Sequence, residues 1–153
     1  MINTAHRCAG MLAIALAFAG TASAQTPQPA AAGRVKVASG DAFIVRQGAN
    51  VRAQPGLPVF QADALRTGAD GSLGVTLEDD TRVSIGPNSE VHLDKFLYAP
   101  ADGSLALALK FVRGVAAYVS GRIAKLAPDS IRLETPGAIV GVRGTSLAIR
   151  VEP

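Results

Sequence analysis

The stretch SLGVTLEDDTRVSIG, residues 72–86, decides how this chain folds. Leu73, Val75 and Leu77 alternate with Gly74 and Thr76; Asp79 and Asp80 supply turn residues, and Val83 and Ile85 resume the alternation. A period of two sends every second side chain to the same face, whereas a helix would need apolar residues three and four apart. The stretch therefore predicts two antiparallel strands joined at the aspartates, which tolerate a positive φ better than most residues.

The same pattern spreads in both directions. Downstream, NSEVHLDKF points Val91 and Leu93 one way and Glu90, His92 and Asp94 the other. SLALALKFV sets Leu105, Leu107, Leu109 and Phe111 against Ala106, Ala108 and Lys110, one large face and one small. Upstream, Val35 with Val37 and Phe43 with Val45 mark two short strands around Ser39-Gly40-Asp41, and GVAAYVSG and SIRLET extend the series beyond Phe111. No segment holds a helical period for three turns. The fold class is all-β, one domain of short strands, mostly antiparallel.

The turn-then-strand runs at 69–83 and 101–115, ADGSLGVTLEDDTRV and ADGSLALALKFVRGV, resemble each other. They leave two windings open, a rolled β-sandwich or a short solenoid-like β-helix.

At the N-terminus, Arg7 precedes an apolar run from Gly10 to Gly20, and Ala22-Ser23-Ala24 stands before Gln25. The run is shorter than the roughly 20 residues of a spanning helix, and the order is that of a cleaved secretory signal. The expected organisation is a signal peptide over 1–24, a Pro- and Ala-rich flexible linker over 25–33 and a β domain over 34–153, released into the periplasm with no transmembrane segment after cleavage. The single cysteine, Cys8, falls within the leader, so the mature domain stands on its hydrophobic core without disulfides.

Composition narrows the chemistry. The net charge of +3 is spread without a basic run, which argues against a nucleic-acid partner. His92 is the only histidine beyond the leader, and it stands at an outward strand position. A nucleophilic site needs a base beside its Ser, Thr or Cys, and zinc needs several His or Cys ligands. The oxygen-bearing residues Asp70, Glu78, Asp79, Asp80, Asn88, Glu90 and Asp94 cluster around turns, at spacings that do not match a calcium loop. No catalytic residue, metal ligand or cofactor is assigned, and the chain is not expected to be an enzyme.

The closing stretch ETPGAIVGVRGTSLAIRV, residues 134–151, interrupts an apolar alternation with Gly141 and Gly144 around Arg143. Glycines within a strand suggest a bulge or a close backbone approach. Two roles for Arg143 follow. It can tie the closing strand to carbonyls or an acid with its fork of N–H groups, or it can present that fork to a partner or an anion.

Taken in order, GDAFIVRQG, QADALRTGADGSLGVTLEDDTRVSIGPNSEVHL, FVRGVAAYVSG and LETPGAIVGVRGTSLAI resemble the FecR domain, the periplasmic sensing module of ferric-citrate-type signalling. Thr135, Pro136, Gly141, Arg143, Gly144 and Thr145 match the family's usual ending, as a structural or binding motif. Asp80 departs from it, standing where the family usually has Gly. Membrane regulators of this family carry a cytoplasmic sigma-factor-binding segment and a transmembrane helix ahead of the domain. Here the domain follows the leader directly, so direct sigma-factor contact is not expected. The resemblance implies a non-catalytic binding or signalling accessory that contacts a periplasmic protein, through an exposed sheet edge that accepts a strand. The alternative is a carbohydrate or cell-wall binding module using the loops YAPADG and AQPGLPVF, against which the scarcity of aromatics counts.

Overall fold

A computed structural model describes residues 26–142 and 146–152. The leader 1–24 lies outside them, as do Arg143, Gly144 and Thr145. The strands are β1 (Gly33–Ser39), β2 (Ala42–Arg46), β3 (Ala49–Arg52), β4 (Pro58–Val59), β5 (Ala64–Thr67), β6 (Ser72–Leu77), β7 (Arg82–Ile85), β8 (Glu90–Ala99), β9 (Ser104–Val119), β10 (Ile131–Thr135), β11 (Ala138–Val140) and β12 (Ser146–Val151). One short helix, α1 (Arg122–Leu126), follows β9 and buries Ile123 and Ala124. It is too short to carry the periodicity by which helices are read from sequence.

The hairpin at 72–86 is present. Leu73 pairs with Ile85 and Val75 with Val83, and Asp80 takes φ 67 in the connecting turn. That conformation is the one glycine adopts most readily, so Asp80 meets the same backbone demand at some cost. β2 and β3 form a second hairpin through Gln47 and Gly48, both at positive φ as two-residue loops require.

The strands make two sheets that share β9. Sheet A runs β4-β1-β6-β7-β9-β12 and sheet B runs β3-β2-β5-β8-β9-β10-β11. Every pairing is antiparallel except β9 with β10. A solenoid would stack its strands in parallel, so the winding is a sheet rolled on itself. The resemblance of 69–83 to 101–115 has no structural counterpart, because the first is a hairpin and the second is one continuous strand.

β9 changes sheets at Gly114. Its N-terminal half pairs with β8 and β10 and buries Leu107, Leu109 and Phe111; its C-terminal half pairs with β7 and β12 and buries Ala116 and Tyr118. The buried positions pass from odd to even numbers, the signature of one inserted residue: Val91 pairs with Phe111 and Glu90 with Arg113, which skips Val112, and Gly114 follows at φ 86.

The core lies between the sheets, where Val35, Val75 and Val83 of sheet A meet Ile44, Val91 and Leu109 of sheet B. Two upstream faces depart from expectation. β2 buries Ala42 and Ile44, leaving Phe43 and Val45 half-exposed, because its register on β5 is set by that sheet. In β1, a register shift after Val35 turns Val37 outward, where it is 59% exposed. The lead-in is anchored at its end: Ala32 is buried, donates its N–H to the Val59 carbonyl oxygen at 2.7 Å, and accepts the Glu78 N–H at 2.9 Å.

Candidate functional site

The closing stretch is not one interrupted strand. β10 lies beside β9 in sheet B, turns at Pro136 and Gly137, and returns as β11; residues 141–145 then lead to β12 in sheet A. Thr135 closes the turn by donating its hydroxyl to the Ala138 carbonyl at 3.2 Å, and Pro136 presets φ at the corner. Gly141 sits in the connection with nothing within 4 Å of where a Cβ would be. The expected close approach is therefore absent at Gly141, and buried Val142 beside it holds the connection down.

Three polar knots hold the buried polar residues Asp63, Thr67, Asp79, Thr81 and Ser89. In the first, Asp79 and Thr81, both fully buried, clamp the start of α1. Asp79 Oδ2 accepts the Thr81 hydroxyl at 2.7 Å and the Ile123 N–H at 3.3 Å, and the Asp79 carbonyl accepts the Arg122 N–H at 2.7 Å. The second joins the sheets under the Gly114 bulge. Thr67 donates its hydroxyl to the Gly86 carbonyl at 2.6 Å and accepts the Ser89 N–H at 3.0 Å, while Ser89 Oγ accepts the Val115 N–H at 2.9 Å. In the third, buried Asp63 receives Arg46 bidentately at 2.7 to 3.2 Å and the Phe60 N–H at 2.9 Å. That hydrogen bond raises the Arg46 pKa further above its ordinary value.

The acids singled out from sequence are dispersed. Asp70 accepts the Asp41 N–H at 3.2 Å, Asp79 is in the α1 clamp, Asp80 pairs with Arg122 at 3.0 Å, and Glu90 lies on sheet B. Among the described residues no group of three His, Cys, Asp or Glu could hold a metal ion. No helix there is long and apolar enough to cross a membrane.

The two outer sheet faces differ in their charge pairing. On sheet B, Glu90 gathers His92 at 2.8 Å, Arg66 at 3.3 Å and Arg113 at 3.6 Å, and Glu134 meets Arg132 at 3.7 Å. Burial alone would push the Glu90 carboxyl up, but the hydrogen bonds from His92 and Arg66 outweigh it and hold its pKa below the usual carboxylate range. His92 is thus outward as its strand position implies, within an ion-pair ladder.

On sheet A the outward positions of β1, β6, β7, β12 and the second half of β9 carry Arg34, Lys36, Arg82 and Arg150, and no acid. None of these four cations makes an ion pair among the described residues. Between them lie exposed Val37, Val115 and Val119, with Gly74, Ser84, Ala117 and Ala148. Between the cations and the valines, the outward positions of these strands are filled by small and hydroxylated residues, while most inward ones are large.

The loops named for a sugar site each border an open cleft beside the lead-in. One, of about 430 Å³, is lined by Gln61, Glu78, Phe96 and Tyr98; the other is lined by Arg46, Phe60 and Asp63. Their rings are engaged, since Arg46 stacks on Phe60 at 4.5 Å and Phe96 and Tyr98 pack on the core.

No curated relative and no solved structure matches the chain. The family model described as FecR protein matches residues 63–153. The match includes all three polar knots except for Arg46 and Phe60, and it begins after β1 to β4, which complete both sheets by pairing with β6 and β5. Over more than half of its length, and through the strands that build its core, the chain belongs to the FecR family, whose role is in signalling and regulation.

Proposed function

We propose that the chain is an exported, non-catalytic FecR-family domain that serves periplasmic signalling as a binding accessory and acts through protein contact. The observation that carries this reading is the outer face of sheet A, which exposes Val37, Val115 and Val119 among small residues. Apolar residues grouped on one face are the usual mark of a contact surface, whereas singly scattered ones need no explanation. The buried polar residues are consumed in holding the fold together, which supports a binding role over a chemical one. β12 borders the face, and among the described residues it pairs only with β9, so a strand-accepting edge adjoins it.

The sugar-binding alternative is weakened by the engagement of Phe60, Phe96 and Tyr98, because a glycan platform needs a free ring face.

Photo-crosslinking tests the proposal. A photoreactive residue in place of Val119, in cells producing the full chain, should yield protein adducts in the periplasmic fraction, on a mature chain that starts at Gln25. Recovery of a chain that still starts at Met1, or adducts to glycan alone, would overturn the reading.

A further inference from the structure

We infer that the partner of the sheet A face is a protein surface with an apolar centre and an acidic border. This deepens the reading above and rests on it. Four cations on one sheet face without an acid among them lack the compensation seen on sheet B, where Glu90 and Glu134 each hold their neighbours. The acids nearest to them in sequence are Asp80, two residues before Arg82 and already paired with Arg122 at 3.0 Å, and Glu152, just beyond the end of β12. Register places the cations around the apolar centre. Arg82 lies opposite Val119 and Arg150 opposite Val115, on either side of β9, while Arg34 pairs across Thr76 on the far side of the sheet.

Three occupants are conceivable, and the face discriminates between them. A second copy would bring the same cations into opposition, and like charges across an interface disfavour association. An anionic lipid surface is usually met by protruding Trp, Phe or Leu side chains beside basic ones, whereas this face offers Val and Ala close to the backbone. A protein surface can follow such a face of low side chains, bury the valines and place carboxylates against the arginines, with long-range attraction speeding its approach. Buried valines at the centre and charges at the border are also the usual arrangement within protein interfaces.

The test uses the purified full chain and a defined probe, a random copolymer of glutamate and tyrosine, which offers carboxylates and apolar rings on a polypeptide. Binding is followed by fluorescence polarisation. Arg82→Glu with Arg150→Glu should weaken binding by about tenfold or more. Val119→Asp should weaken it similarly, while Lys110→Glu with Arg132→Glu on sheet B should change it less than about twofold. Equal losses from both sheets would overturn the proposal, since that is general attraction to a cationic protein. Tighter binding to dextran sulfate or to phosphatidylglycerol vesicles through Arg82 and Arg150 would also overturn it, in favour of a polyanion or a lipid. So would a dimer in sedimentation that Val119→Asp dissociates. The crosslinking experiment separates this proposal from the one beneath it. Protein adducts from Ile139 on β11 and none from Val37 or Val119 leave protein contact standing and remove this face; adducts from no position remove both.

Discussion

Replacing Gly114 by alanine should be among the most damaging single-methyl changes available to this domain. Gly114 holds φ 86 where β9 leaves one sheet for the other, a conformation that costs a residue with a Cβ about 1–2 kcal/mol. The added carbon would also overlap Ser89 Oγ and lie 2.6 Å from Ser89 Cα and 2.7 Å from the Asn88 carbonyl oxygen. Relieving that overlap must displace Ser89, which is fully buried and is the acceptor for the Val115 N–H, and an unmade bond at a buried group costs about 1–3 kcal/mol. Together the loss should reach about 3 kcal/mol, a large share of a small domain's stability. Gly103 provides an internal control. It holds φ 68 with nothing within 4 Å of a Cβ, so Gly103→Ala should show the strain alone, about 1 kcal/mol. Urea titrations followed by circular dichroism would compare the two midpoints at equal slope. If Gly114→Ala falls no further than Gly103→Ala, the Ser89 knot does not hold the crossing.

Leu107→Ala and Leu109→Ala should each cost about 2–5 kcal/mol in denaturant titrations, since both are buried, while Lys110→Ala should shift the midpoint by less than about 0.5 kcal/mol. Asp63→Ala should cost about 2–4 kcal/mol, because it strands the Phe60 N–H and removes the bidentate partner of Arg46; Glu90→Ala, on a partly solvated face, should cost about 1 kcal/mol or less by the same titration. The Glu90 carboxyl has its pKa lowered from 4.5 in the fold, so its stabilisation is present above that value and is lost as pH falls through the lower folded value. Thermal melts from pH 6 downward should show a loss over that acid range that is smaller in Glu90→Gln.

Alternation made most of sheet A and the centre of sheet B readable. Leu73 to Ile85, Val91, Leu93 and Leu107 to Phe111 all face the core as their periodicity implies, because each strand has one dry face and one wet one. Phe43 and Val45 marked β2 correctly, but the register on β5 gave the interior to Ala42 and Ile44. The parity change between Phe111 and Ala116 was visible in principle, with Gly114 at the break, but reading it requires knowing that one strand serves two sheets. The same gap made 134–151 look like one strand, since nothing local tells β11 and β12 that they pair in different sheets. The sheet A face was hidden for a different reason: its residues sit on five strands, and only the register brings Arg82, Val119 and Ser146 side by side.

The shared strand β9 also governs the order in which this protein can fold. β6 and β7 can pair as a hairpin on their own, so can β2 and β3, and β8 can pair with β5, but β7, β8, β10 and β12 each have a pairing that waits for β9. A chain emerging from its N-terminus therefore carries two open sheets with exposed apolar faces until residue 119 is free. Neither half can then close independently, so probes placed on the two sheets should lose structure in a single step. A carrier protein that shields emerging strands would find its longest window of need just before β9 appears.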